Sequence, residues 1–183
     1  MAADSPHYRP DGQYWLGSAW APTNYAAIKG FWRAGYQDLA RETALRHLRC
    51  MAEVLADTGS LWENYCAESS TRGSWSASDY SWSALGPIAL LFEVVMGLEP
   101  RAGERRLRFA PPAGTAIGVK RYPLGPCTVD IRQEAEAGGD RMIVETDYRF
   151  TLEAARNGDV RTVDCPRGRT EVPLILGPSP ATS

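Results

Sequence analysis

Apolar and polar positions follow two rhythms along this chain, and the change falls near Leu98-Glu99-Pro100. Before it the rhythm is helical. Tyr25, Ile28 and Trp32 keep the i, i+3, i+7 spacing of one face and predict a helix over 24–33, opened by Pro22-Thr23-Asn24 and ended by Gly35. Leu39, Ala40, Ala44, Leu45, Leu48, Met51, Ala52 and Leu55 form a second stripe, mostly opposite Arg41, Glu42, Arg46, Arg49 and Glu53. That stripe predicts a helix over 37–56, stopped by Asp57-Thr58-Gly59. Residues 82–96 are apolar nearly all round and predict a third helix, ended by Gly97 and buried on most sides. Between the second and third lies a long connection, 57–79, rich in Ser, Gly and Trp. Connections of that length are usually functional or disordered, and the embedded aromatic rings argue against disorder.

After residue 98 short runs bounded by turn signals predict strands over 105–110, 116–122, 127–134, 141–145, 149–154 and 170–176. Pro123-Leu124-Gly125-Pro126, Gly138-Gly139-Asp140 and Asn157-Gly158-Asp159 read as turns. The expected organisation is an irregular lead-in over 1–13, a helical part over 14–98, a small β domain over 99–176 and a polar Pro/Ser tail over 177–183.

Composition narrows the function classes. The chain has 183 residues and a net charge of −2 from 20 basic and 22 acidic side chains, without a basic run, so nucleic acid is not an expected partner. No apolar stretch reaches the ~20 residues of a membrane helix, and Met1 is not followed by the pattern of a signal peptide. The compartment is therefore left open, with the cytoplasm as the expectation. Cys50, Cys66, Cys127 and Cys165 have no metal-ligand spacing and read as free thiols of a reducing compartment. No cofactor is expected.

All six Trp (Trp15, Trp20, Trp32, Trp62, Trp75, Trp82) precede residue 83. Aromatic faces stack on the apolar faces of sugar rings, and indole adds one N–H donor. Three polar, aromatic segments separated by helical sequence look like the walls of a sugar site: residues 14–25, Leu61-Trp62-Glu63-Asn64-Tyr65, and Asp79-Tyr80-Ser81-Trp82-Ser83. Taken singly these residues also have plainer readings. Glu63 could be a solvated loop carboxylate, Trp15, Trp20, Trp62 and Trp82 core rings, and Asn24 a helix cap; Asp79 lies near Glu63 in sequence but is not read as a catalytic acid.

Together the three segments resemble the C-terminal end of the catalytic domain of inverting α-glycosidases with an (α/α)6 toroid, the trehalases of glycoside hydrolase family 37 and family 63 with its α-glucosidases and mannosylglycerate hydrolases. Tyr14-Trp15-Leu16-Gly17 through Trp20 to Asn24-Tyr25 is similar to the pattern Y-W-R-G-x-x-W followed by N-Y, Trp62-Glu63-Asn64-Tyr65 to the segment bearing the catalytic base, and Tyr80-Ser81-Trp82-Ser83 to F-S-W-T. The resemblance covers roughly 14–98. It implies an α+β chain: the last helices of a toroid followed by a small antiparallel β-sandwich or sheet layer. It implies Glu63 as general base, and Tyr14, Trp15, Trp20, Asn24, Tyr25, Trp62, Asn64, Tyr65 and Trp82 as substrate contacts. The partner is then a small carbohydrate, an α-glucoside or disaccharide, handled without metal or organic cofactor. The general acid of these families lies upstream, in a part of the toroid this chain lacks. Leu16 departs from the pattern, which has Arg there. The rival reading is a non-catalytic carbohydrate-binding module derived from such an enzyme.

Overall fold

The structure is a computed structural model that describes residues 2–135, 139–156 and 158–174. It divides into two compact units, Met1–Val95 and Met96–Ser183.

In the N-terminal unit a 3₁₀ turn, Tyr14–Leu16, leads into a two-residue strand β1 (Ser18–Ala19) and the helices α1 (Ala21–Arg33) and α2 (Gln37–Thr58). Strand β2 (Tyr65–Cys66), a second 3₁₀ turn (Ser81–Ala84) and a π-helical segment (Gly86–Val95) follow. Helix α1 starts ahead of the expected Asn24 because Pro22 fits its first turn, where a backbone N–H has no partner to lose. Helix α2 ends on Gly59, whose φ of 71° is the left-handed conformation that glycine adopts without a Cβ clash. Only part of the predicted stripe of α2 is buried: Ala40, Ala44 and Met51 face inward, joined by His47 and Val54, while Leu39, Leu45 and Leu55 are exposed. The core it packs into combines Ala21, Met51, Val54 and Tyr65, with Cys50, Leu61 and Trp62 against it.

The third helix departs most from expectation. It is a π segment, and only Gly86, Leu90 and Val94 are buried along it. Leu85, Ile88 and Leu91 are exposed, so it is not buried on most sides. Gly86 is the contact point: a Cβ there would stand 3.2 Å from Met51 Sδ and 3.4 Å from both Ala21 Cβ and His47 Nε2.

The C-terminal unit holds two four-stranded sheets. One has the order β3 (Leu98–Arg101), β4 (Arg106–Phe109), β8 (Phe150–Arg156), β9 (Asp159–Cys165). The other has the order β10 (Gly168–Leu174), β7 (Asp140–Thr146), β6 (Cys127–Glu134), β5 (Ile117–Leu124). The strands predicted over 116–122 and 127–134 form the hairpin β5–β6, in which Leu124 lies opposite Cys127. Strand β6 alternates buried and open positions along its length, the pattern of a sheet with one covered face. Burial pushes the Asp140 carboxyl up, but the Gly114 N–H and the Arg156 guanidinium outweigh it and hold it below the usual carboxylate range. Both members of that ion pair, Arg156 Nη1 and Asp140 Oδ2 at 2.6 Å, are buried.

Two expectations about architecture are corrected. Among the described residues ten strands in three sheets stand beside two α-helices and one π segment, which is α+β but not the closing helices of an (α/α)6 toroid. Instead of continuing a ring of helical hairpins, the aromatic segments on either side of the α1–α2 pair are joined by the β1–β2 ladder. The C-terminal unit is also not wholly antiparallel, because β4 runs parallel to β8. Residues 175–176 of the last predicted strand, the 177–183 tail, Gly138 and Asn157 lie outside the described residues. None of the four cysteines is in a disulfide, and no described helix is long and apolar enough to cross a membrane.

Candidate active site

The loop carrying Glu63 is built by side chains that turn back on the backbone. Tyr65 lies opposite Ala19 and Cys66 opposite Ser18 in the β1–β2 ladder, which ties the first aromatic segment to the second. Glu63 N–H donates to Ala77 O at 2.8 Å, and Tyr80 N–H donates to Leu61 O at 3.0 Å, which ties the second to the third. Ser76 Oγ donates to Asn64 O at 2.9 Å and accepts from Asn64 N–H at 3.0 Å. Ser83 Oγ donates to Trp62 O at 2.6 Å. These serines satisfy backbone groups that a loop would otherwise leave to solvent.

Glycines make the close approaches. A Cβ on Gly73 would stand 1.9 Å from Asn64 Oδ1 and 2.6 Å from Gly12 O, and one on Gly17 would stand 2.1 Å from Arg9 O. Two non-glycine residues at the edge of the site take positive φ, Tyr14 at 49° and Asp79 at 54°. Such conformations are sparsely populated outside glycine and need the surroundings to hold them. For Asp79 the holder is Ser60, whose Oγ accepts from Asp79 N–H at 2.8 Å and donates to Asp79 Oδ1 at 3.1 Å.

The predicted substrate contacts fall into two groups. Trp20 is 7% exposed, and Trp15 lies flat on it at 4.0 Å with planes 10° apart. Asn64 and Tyr65 are buried; Asn64 Nδ2 donates to Trp75 O at 2.9 Å, and the Tyr65 hydroxyl accepts from Trp62 N–H at 3.1 Å. Asn24 Nδ2 pairs with His47 Nδ1 at 3.2 Å. The Tyr25 hydroxyl donates to Glu93 Oε2 at 2.8 Å, and burial followed by that bond pushes its pKa up to about 12. Lys29 Nζ closes on the same carboxylate at 2.9 Å. These five residues hold the unit together rather than face outward. Trp62 is intermediate: its indole N–H donates to Thr58 Oγ1 at 2.8 Å, and the Arg72 guanidinium covers its ring at 4.6 Å.

The accessible group is Tyr14, Trp15, Trp82 and, half-buried, Glu63. Trp15 is 54% and Trp82 63% exposed. The Tyr14 ring meets Trp15 and Trp20 edge-on, at 5.7 Å and 4.9 Å. The Tyr80 ring meets Trp82 edge-on at 6.3 Å. Burial first, then the charge and hydrogen bond of Glu63 and the nearby Tyr14, raise the Tyr80 hydroxyl above the ordinary tyrosine value. The 690 Å³ cleft of this unit lies elsewhere, between the Glu42–Arg49 face of α2 and the loop at Glu68-Ser69-Ser70, and contains none of the predicted residues.

Sequence reasoning named Tyr80 only as a member of the third aromatic segment, and missed His47 and Arg72. His47 read only as one of two histidines; its position beside Met51 and Ala44 on one helical face was the available signal. Burial lowers its pKa to about 4, so it is held neutral.

Comparison with known proteins bears on this unit above all. Residues 5–82, under half of the chain, match the family model described as Trehalase, which relates the N-terminal region to trehalase-like glycosidases. A protein of Borreliella burgdorferi described as uncharacterized is 24% identical over 188 residues, which take in 95% of this chain and 40% of that protein. The chain thus spans well under half the length of that curated relative. No solved structure matches it.

Proposed function

We propose that the N-terminal unit carries the general base and part of the sugar cradle of a trehalase-like, inverting α-glycoside hydrolase, and that the general acid comes from residues outside this chain. The substrate class is a small α-glucoside or disaccharide. The observation that carries the proposal is that the Trehalase match takes in the first two aromatic segments and the third as far as Trp82, together with a Glu63 that stays half open while its loop neighbours are committed to the fold. Trp15 and Trp82 offer ring faces for sugar, and Tyr14 offers a hydroxyl at their edge. Glu63 takes a proton from the water that attacks the anomeric carbon, and the acid protonates the departing oxygen. The two carboxyl groups then stand about 6.5–9.5 Å apart, leaving room for that water. The kinship with family 63 beside family 37 is part of the same proposal.

A second reading, a sugar-binding module without catalysis, is favoured by one observation. Asp79, the carboxylate that the clamps bring to the edge of the Glu63 loop, is spent on Ser60. Titration calorimetry with trehalose and other α-glucosides tests both, using the chain and Glu63→Gln, with glucose release measured alongside. Binding with little or no hydrolysis is expected from the chain alone. Robust turnover lost in Glu63→Gln would refute the external acid and keep the base. Turnover that survives Glu63→Gln would refute the base.

A further inference from the structure

We propose that the C-terminal unit carries a binding site for a phosphoryl group, built on Arg105, Arg167 and Tyr148 and independent of the Glu63 loop. The site is a 670 Å³ cleft where three connections of that unit come together: the turn before β4, the β7–β8 turn and the β9–β10 turn. Arg105 is its best-fixed cation. It follows a 3₁₀ turn, Ala102–Glu104, and takes a φ of 50°, which outside glycine needs the surroundings to hold it. Two backbone bonds do so. Arg105 N–H donates to Ala102 O at 3.1 Å, and Arg105 O accepts from Thr151 N–H of β8 at 2.9 Å. The guanidinium then lies over the Tyr148 ring, 5.6 Å from its centre. Thr146 fixes Tyr148 in turn, its hydroxyl donating to Tyr148 O at 2.7 Å and accepting from Tyr148 N–H at 3.3 Å.

Attraction to the ring uses the charge of Arg105 and none of its five N–H donors. Those donors form a rigid fork that matches an oxyanion in two bonds. Among the described residues no carboxylate stands within ion-pair distance of Arg105 or of Arg167, which lines the same cleft. The acids of the cleft are engaged elsewhere. Arg149 holds both oxygens of Asp164, Nε on Oδ1 at 3.0 Å and Nη2 on Oδ2. Glu104 faces Arg106 at 3.6 Å, and Asp147 Oδ1 accepts from Thr128 N–H at 2.7 Å. Two guanidiniums without a paired carboxylate therefore share one cleft. A phosphate monoester, with a charge of about −2 at neutral pH, matches both, whereas a carboxylate matches one. Tyr148, 47% exposed, offers its ring and hydroxyl to the group that bears the phosphate.

The test is calorimetry and phosphorus NMR on the full chain at fixed ionic strength, with inorganic phosphate and glucose 6-phosphate as probes. Saturable binding is expected. Arg105→Gln and Arg167→Ala should each weaken it about tenfold, the loss of a charged hydrogen bond. Arg105→Lys, which keeps the charge and loses the fork, should fall between, and Trp15→Ala in the other unit should change nothing. Equal affinity for the two probes identifies free phosphate as the ligand. Tighter glucose 6-phosphate, with the excess lost in Tyr148→Ala, identifies a phosphorylated sugar. Absence of saturable binding by the folded chain, or binding untouched by Arg167→Ala and Arg105→Gln, overturns the proposal. Arg167 lies in an exposed turn, so its variant reads the site even where Arg105→Gln loosens the fold.

Discussion

Lowering the pH from 7 to 5 should cost the N-terminal unit about 2 kcal/mol of stability through one side chain, His47. The residue is 8% exposed, and Nδ1 meets the Asn24 amide at 3.2 Å. Nε2 has no hydrogen-bond partner among the described residues and lies 3.4 Å from where a Cβ on Gly86 would stand. Burial lowers the pKa from 6.5 to about 4. The unfolded chain therefore takes up a proton at higher pH than the folded unit does. Stability is full above the unfolded value and is lost as pH falls through the window between the two, about 2 kcal/mol by pH 5 and about 3 kcal/mol by pH 4. The range from 7 to 5 isolates histidine, since ordinary carboxylates titrate lower. All six Trp lie in this unit, so urea unfolding followed by tryptophan fluorescence reports on it alone. His47→Gln preserves an acceptor for Asn24 and has nothing to titrate, so its stability should be flat over the same range. Wild type and variant losing stability in parallel would falsify the assignment.

Gly73→Ala, which drives a Cβ into Asn64 Oδ1, should destabilise the same unit by about 3 kcal/mol in urea. Gly30→Ala, inside α1 with open space around it, should stabilise it by roughly 0.5–1 kcal/mol. Asp140→Ala leaves the buried Arg156 guanidinium with Gln133 but without a counter-charge, and should lower the stability of the C-terminal unit by about 3 kcal/mol, seen by far-UV circular dichroism and absent from the tryptophan signal. Trp15→Ala should weaken α-glucoside binding about fivefold, a loss of about 1 kcal/mol, without unfolding the unit, because Trp15 is the exposed partner of its stack; unchanged calorimetric affinity would remove it from the cradle.

Local periodicity made the two α-helices, the hairpin β5–β6 and most strand positions of the C-terminal unit legible, because these depend on neighbours within a turn or a two-residue repeat. The words around Trp15, Glu63 and Trp82 likewise marked a relationship to trehalase-like glycosidases, through residues 5–82. Which side chains that marking leaves accessible was not legible. Trp15 and Trp20 are alike in sequence, yet one covers the other. Asn64 reads as a polar contact, yet it is buried, its backbone bonded to the Ser76 hydroxyl and its Nδ2 to Trp75 O. The buried face of α2 was legible only in part, through Ala40, Ala44 and Met51, for the same reason. A stripe of leucines says only that burial is favourable, and the side that gets buried depends on the partners that arrive from distant sequence, here Ala21 and Tyr65. The sequence by itself determined the helical and strand rhythms and the chemistry that the aromatic segments can offer. Only the tertiary structure decided that the helices do not continue a toroid, that β4 runs parallel to β8, and that the β1–β2 ladder sets Ala19 opposite Tyr65. Each of those is a contact between residues far apart in the chain, which no local pattern encodes.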